Sequence, residues 1–229
     1  MNKITTLALV FTCLVMVGCA SNPQKSVALS QDFYSSGDKT VGVYVDELPA
    51  ADTHFFGAGC LLCYGAAAIA NSSLTSHIQA LSTDDLIGVD ESIAKLVTKK
   101  GIAANIINAP VDFEGLKKFT TQEEDFAKQD YRPLRESLGV DKLVVIDFNI
   151  VGAHRSYSGY IPTSDPVGAV IGKAYTVDLA TNKYILYEEI DVKVSTSGEW
   201  DEPPSFPGIT NAYYQAIEIA KEKVADLFK

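Results

Sequence analysis

The sequence predicts one α/β domain, with a mixed, mostly antiparallel sheet and helices packed on it. A β-branched run stands at residues 40–45, and a strongly apolar run at 142–150 is followed by two further strand-like segments. Apolar residues recur at helical spacing in other stretches of the chain. Read in order, these patterns give β-α-α-β-α-β-β-β-α, with residues 40–229 as the single domain.

The first strand, Thr40–Val45, is expected near the centre of the sheet. The stretch that follows is unusual, because residues 53–83 contain no Asp, Glu, Lys or Arg. Its centre, residues 55–70, mixes Gly and Ala with large apolar side chains. Three interpretations of this stretch are open. It is a loop and helix packed under the rest of the fold, a surface that contacts a partner subunit or the bilayer, or a membrane-spanning segment. The span is disfavoured because it needs about 20 apolar residues.

Two helices and a strand are expected next. Residues 72–81 show helical spacing of their apolar side chains, and a second helix over 90–100 has Asp90 as its expected N-cap. Gly101 is expected to stop that helix, and residues 102–107 follow as a strand. Together with the first strand they predict a β-α-β arrangement.

Residues 122–138 predict a polar helix. Phe126, Leu134 and Leu138 are expected to face the core, and Pro133 to kink or start the helix. The strand at 142–150 comes directly afterwards.

The last third of the chain predicts a hairpin and a closing helix. Segments 168–179 and 183–194 are joined by a short turn, which favours antiparallel pairing. A loop over 197–208 contains three prolines and the only tryptophan. The helix over 210–228 carries an apolar stripe and is expected to lie on the sheet.

The N-terminus has the pattern of a secretory signal. Lys3 precedes an apolar run too short to span a bilayer, and Met16-Val-Gly-Cys19 ends it. These four residues resemble the lipobox of bacterial lipoproteins, with Met16 where that family prefers Leu. The resemblance implies removal of a signal peptide, residues 1–18, and acylation of Cys19, palmitate included. Ala20 in place of Asp implies the outer membrane, with the protein facing the periplasm.

Residues 19–39 are rich in Ser, Gln, Asn and Asp and predict a flexible tether. Without the signal peptide, which holds one lysine, 18 basic residues face 29 acidic ones, a net charge of −11. An acidic surface repels phosphate backbones, so nucleic-acid binding is not expected.

Cys60 and Cys63 have the spacing of thiol oxidoreductases. An active dithiol needs its attacking thiol ionised, and the surrounding stretch supplies no cation. We therefore favour a structural disulfide or two buried thiols, and keep a periplasmic thiol-disulfide protein as the alternative.

No other motif predicts chemistry. The three histidines are far apart in the sequence, so neither a metal site nor a cofactor is expected. The aromatic side chains of Tyr157, Tyr160 and Trp200 lie in polar segments expected to be loops. They fit contact with a partner or stacking on a sugar, or alternatively a solvated hairpin.

The layout of the domain resembles that of several outer-membrane lipoproteins. Two segments show the resemblance. Tyr131–Ile146 has the pattern of a helix, a glycine that ends it and a buried strand, and Val177–Lys183 has the pattern of a hairpin turn. They are similar to the curli-secretion lipoprotein, the lipoprotein activators of peptidoglycan synthases and the Pel exopolysaccharide lipoprotein. The resemblance implies a small α/β fold. We expect a non-catalytic module that binds other envelope proteins, or further copies of itself, in envelope biogenesis or secretion, and keep a binder of glycan or another small ligand as a further alternative.

Overall fold

The computed structural model describes residues 23–35, 39–121 and 123–229. The predicted signal peptide and the predicted lipidation site at Cys19 lie outside these residues. The fold class is confirmed: one mixed, mostly antiparallel open sheet carries helices packed against it.

The sheet of the described chain has the order β3-β1-β4-β6-β7, and β2 and β5 also pair with β4. Its strands, in chain order, are β1 Val41–Val45, β2 Asp52–Phe56, β3 Ala104–Ile106, β4 Lys142–Ser158, β5 Ile161–Pro162, β6 Val167–Asp178 and β7 Lys183–Val194. The pairs β4–β6 and β6–β7 are antiparallel, whereas β1 is parallel to both of its neighbours.

The helices of the described chain are α1 Asp32–Ser35, α2 Leu61–Ala70, α3 Ser72–Ile78, α4 Val89–Lys99, α5 Leu134–Leu138 and α6 Pro207–Asp226. A 3₁₀ turn at Asp84–Leu86 precedes α4. The predicted α4, β3, hairpin and closing helix are thus confirmed to within a few residues. The predicted N-cap of α4 is wrong. Gly88, in the left-handed conformation, is the N-cap, and Asp90 lies in the first turn of the helix.

The strand β4 organises the sheet, because two short strands share one of its edges. Its first part pairs in parallel with β1, with Val41 beside Lys142, and its later part pairs in parallel with β2, with Asp52 beside Gly152. The sequence did not predict β2, since its five residues run directly into the glycine-rich stretch. This strand carries the chain to the far end of β4, where α2 begins.

The two faces of the sheet have separate cores. On one face α4 and α6 lie side by side, and α6 buries Tyr213, Ile217 and Val224 against the sheet. On the other face a smaller core joins side chains such as Leu143 and Tyr175 to the segment that leads into α5.

The predicted helix over 122–138 is wrong, because in its described part, residues 123–138, only Leu134–Leu138 is helical. The side chain of Asn182, in the turn between β6 and β7, forms hydrogen bonds with the backbone of residues 127–131. Its Nδ2 donates to the carbonyls of Ala127 and Gln129, at 3.0 and 2.9 Å, and its Oδ1 accepts from the Tyr131 amide at 2.8 Å. These bonds hold the chain in an irregular path, and Pro133 precedes the short helix.

The predicted tether differs in the structure over residues 23–35. Val27 pairs with Tyr187 of β7, and the Tyr34 hydroxyl donates to the carbonyl of Phe228 at 2.7 Å. Phe33 is fully buried in the main core. Apolar side chains spaced among the polar residues cause this packing, so most of the predicted tether belongs to the folded domain.

Candidate interaction surface

Large apolar side chains lie exposed together at the β2 end of the sheet. We call them the α2 surface, and each is between 43% and 90% exposed. The α2 surface consists of Phe56, Leu61, Leu62, Tyr64, Ile69, Tyr160 and Ile161. It includes the exposed part of the stretch that the sequence singled out.

The helix α2 exposes these residues because only small side chains face inward. Cys63 and Ala67 are buried, and they pack with Phe55 and Tyr157 in a small separate core. Leu62 and Ile69, seven positions apart, lie on the opposite, exposed face. In α2 the apolar stretch therefore buries one narrow face of the helix and exposes most of its large side chains.

The hairpin between β4 and β5 extends the surface beyond α2. The amide of Gly159 donates to the carbonyl of Gly57 at 3.3 Å, which brings the hairpin tip beside the loop before α2. Tyr160 and Ile161 are exposed at this tip. With ~200 Å² for a large side chain, the α2 surface presents on the order of 800 Å² of mostly apolar area, more than a typical monomer exposes in one patch.

A partly buried hydrogen-bond network joins the end of α2 to β4. Asn71, the residue between α2 and α3, donates from Nδ2 to the Tyr157 hydroxyl at 2.6 Å. Its Oδ1 accepts from Arg155 Nη1 at 2.6 Å, and Arg155 Nε donates to the carbonyl of Ser164 at 3.1 Å. Because each group is bonded to another element, the α2 surface has a fixed position on the sheet.

The predicted contact residues Tyr157, Tyr160 and Trp200 do not form one exposed platform. The strand β4 continues to Ser158, so Tyr157 lies within a strand and not in a loop. Successive side chains of a strand point to opposite faces, and the Tyr157 ring lies on the face that packs beneath α2. Trp200 is half-buried, with the Arg155 guanidinium 4.8 Å from its ring centroid and Phe206 stacked beside it. Tyr160 is exposed, and it belongs to the α2 surface.

Cys60 and Cys63 are joined by a disulfide at the start of α2. Cys60 is the N-cap, and its Sγ accepts from the Cys63 amide at 3.0 Å. Cys60 is exposed and Cys63 is buried. The pair closes the first turn of the helix and sets the point at which the α2 surface begins.

His54 and His154 lie side by side on β2 and β4, and Phe56 stacks on His154 at 4.4 Å. Within residues 23–35, 39–121 and 123–229, no group of three or more metal-ligating side chains comes together. Within the same residues, no helix combines the length and the apolar character that crossing a bilayer requires.

The two histidines predict a loss of stability in acid. Burial lowers the pKa of His54, against the raising effect of Asp52, and burial and Lys193 lower the pKa of His154, against Asp191. Below the pKa of an unfolded histidine, about 6.5, the unfolded chain thus binds protons that the folded chain binds less readily. We expect the urea midpoint to fall as the pH drops below this value, and to fall less steeply in the His54→Gln, His154→Gln variant. An unchanged slope in the variant would contradict this assignment.

No family model matches the chain, and no curated protein matches it. Solved structures with a similar fold include protein XCC0632 from Xanthomonas campestris, of the DUF330 family, at 11% identity and a TM-score of 0.39, covering 88% of this chain and 90% of that one. PelC from Paraburkholderia phytofirmans, solved as a dodecamer, is 8% identical, with a TM-score of 0.34 and coverage of 90% and 95%.

A third similar structure is lipoprotein GNA1162 from Neisseria meningitidis. It is 14% identical, with a TM-score of 0.30 and coverage of 78% of this chain and 94% of that one. All three likenesses lie below 25% identity and below a TM-score of 0.5, so none of them transfers a function to this chain.

Proposed function

We propose that this chain is a lipid-anchored, non-catalytic envelope protein that assembles with a second copy of itself through the α2 surface. The observation that carries the proposal is the exposure of Leu61, Leu62 and Ile69 on a helix without charged residues. In this proposal the lipobox-like residues Met16–Cys19 supply the anchor, Cys19, and the domain faces the periplasm from the outer membrane.

The position of the anchor favours a protein partner over the bilayer. Cys19 stands four residues before Pro23, so the connecting chain reaches at most about 14 Å. Val27 pairs with Tyr187, which lies across the sheet from Val145 of β4. From Val145 to Tyr157, beneath α2, an extended strand covers roughly 40 Å. Val27 and the α2 surface are therefore near opposite ends of β4, and an anchor at Cys19 would be tethered to the Val27 end.

Charge favours a second copy as the partner. A chain with a net charge of −11 after cleavage repels its copies, and residues 53–83 are a stretch without acidic side chains through which two copies can approach. Helices that lie in lipid headgroups usually carry Lys or Arg on their polar face, and α2 has neither.

The geometry of α2 suits a two-fold contact between helices. Leu62, Ala66 and Ile69 follow one stripe of the helix, and Gly65 and Ala66 allow a close approach of two backbones. In an isologous pair each stripe packs against its equivalent. The exposed area, on the order of 800 Å² for each copy, matches that of a standard protein interface.

The proposal predicts a dimer that charge on α2 dissociates. We expect the domain without its lipid cysteine to sediment as a dimer at micromolar concentrations. Leu62→Glu with Ile69→Glu should weaken association at least 100-fold, because two buried carboxylates on each copy lose hydration without gaining partners. Analytical ultracentrifugation over a concentration series measures both.

The matched control is Ile87→Glu, which adds a charge at an exposed apolar residue outside the α2 surface. It should remain a dimer. Circular dichroism should show that all three proteins are folded. A wild-type domain that stays monomeric throughout the series would contradict self-association.

A thiol-disulfide function is a second candidate, favoured by one observation. The exposed Cys60 caps the N-terminus of α2, where the helix dipole stabilises a thiolate, and its partner Cys63 is buried. Reduction of insulin by the reduced domain, lost in Cys60→Ser, would support this function. An inactive wild-type domain would eliminate it and leave the assembly proposal unaffected.

A further inference from the structure

We propose that the open edge of β3 and the adjoining flank of α4 form a groove that binds an extended acidic peptide of a partner protein. The groove has a volume of about 490 Å³. We call it the edge groove, and its walls are Glu91, Ala94, Lys95, Thr98, Lys99 and Ile106. It shares no residue with the α2 surface.

The backbone of β3 has unpaired groups along its outer edge. β3 is the last strand on its side of the sheet, and its inner edge pairs in parallel with β1, where the Val41 amide donates to the carbonyl of Ala103 at 2.9 Å. This register directs the amide and carbonyl of Asn105 to β1 and those of Ala104 and Ile106 outward. Among the described residues, these outward groups have no hydrogen-bond partner. Such an edge pairs readily with another extended chain.

The helix α4 turns this edge into one side of a groove. It ends at Lys99, and β3 begins five residues later, so the strand runs back along the helix. The groove follows α4 from Glu91 to Lys99, about 12 Å at 1.5 Å per residue. That length matches roughly three to four residues of extended chain. Ala94 is buried and Ile106 is half-buried, so the bottom of the groove is apolar and suits one apolar side chain.

Lys99 gives the edge groove its charge preference. Its side chain is exposed in the last turn of α4 and, in the part of the chain that the structure describes, forms no ion pair or hydrogen bond. Glu91 and Lys95 pair with each other at 3.4 Å and leave no net charge. The net charge of −11 repels an acidic peptide at long range, but salt screens this repulsion beyond about 8 Å. The groove itself therefore attracts an acidic side chain to Lys99.

The geometry of a strand sets the spacing of the two ligand side chains. In a peptide paired with β3, every second side chain lies on the α4 side of the sheet. An apolar residue beside Ile106 and an acidic residue beside Lys99 are therefore two positions apart. A second copy of this chain is a poorer occupant, because interface cores are depleted in charged residues and this flank of α4 is largely charged.

The test is NMR spectroscopy of the ¹⁵N-labelled domain without its lipid cysteine, which contains the whole sheet, with the blocked peptide Glu-Thr-Val-Thr-Glu as the probe. The peptide reads the same in both directions, so either orientation places valine beside Ile106 and a glutamate beside Lys99. We expect saturable shifts of the Ala104 and Ile106 amides, with a dissociation constant on the order of 0.1–1 mM for a few backbone hydrogen bonds. Hydrogen exchange of both amides should slow with peptide, whereas the Asn105 amide should be protected throughout.

Two variants test the two parts of the groove. Lys99→Glu should weaken binding of the glutamate peptide about 3- to 10-fold and strengthen that of Lys-Thr-Val-Thr-Lys, because a surface ion pair becomes a like-charge pair. Lys117→Glu, the same change at an exposed lysine outside the groove, should bind like the wild type. Ala104→Pro removes an outward amide, and proline is tolerated on edge strands, so it should abolish the shifts. Circular dichroism checks that the variants fold.

Absence of shifts at Ala104 and Ile106 up to about 10 mM peptide would overturn the proposal, since millimolar binding is then detectable. Equal binding of the two peptides, or shifts that persist in Ala104→Pro, would also overturn it. Protection of both amides that rises with protein concentration, without peptide, would show a second copy at this edge and overturn it too. Leu62→Glu with Ile69→Glu should retain peptide binding, so failure of the assembly proposal and failure of this one remain distinguishable.

Discussion

Replacing Gly168 with alanine is expected to lower the free energy of unfolding by about 3 kcal/mol, the upper end for overpacking of a core. Gly168 lies near the start of β6, where α6 crosses the sheet, and a Cβ there would overlap the backbone of Ala212 and Tyr213. Backbone atoms cannot move aside as a flexible side chain can. The whole helix would have to shift, and the buried contacts of Ile217 and Val224 would loosen with it.

Urea unfolding followed by Trp200 fluorescence measures this effect. Gly59→Ala is the matched control, because a Cβ at Gly59 meets nothing within 4 Å and the backbone there has no positive φ. The control should differ from the wild type by less than about 0.5 kcal/mol. An equally small effect at Gly168 would contradict the close packing of α6 on β6.

Replacing Phe33 with alanine is expected to cost about 3–5 kcal/mol, as for other buried phenylalanines. The ring is fully buried in the main core, 4.8 Å from the ring of Tyr34 and 6.3 Å from that of Phe228. The Lys142 ammonium lies 4.8 Å from its centroid. The truncation leaves a cavity and also removes the ring face from a buried cation.

The same unfolding experiment tests this prediction, with Ile87→Ala as the control at an exposed apolar residue. The control should change stability by less than about 0.5 kcal/mol. If Phe33→Ala were as mild as the control, residues 23–35 would behave as the flexible tether that composition suggests.

Local patterns in the sequence were sufficient for much of the fold. The helical spacing in α4 and α6 and the turn between β6 and β7 are properties of neighbouring residues, so periodicity predicted them. The helix expected over 122–138 failed because Asn182, a residue distant in sequence, supplies hydrogen bonds that hold residues 127–131 in an irregular path. Competition from distant residues is not visible in a local pattern.

The sequence indicated most of the residues that form the α2 surface, but it did not indicate that they are exposed. The absence of charge identified residues 55–70, but their exposure depends on how few of them β4 covers, and only the fold determines this.

Site-directed cross-linking of the full-length, membrane-anchored protein tests the central claim, self-association through α2, most directly. Ala66 is exposed on the stripe between Leu62 and Ile69, so in a two-fold pair of α2 helices it lies close to the same residue of the second copy. We predict that Ala66→Cys gives a covalent dimer with a short thiol-specific cross-linker, and that Ile87→Cys does not. Equal yields from the two variants, or no dimer from Ala66→Cys, would contradict assembly through the α2 surface.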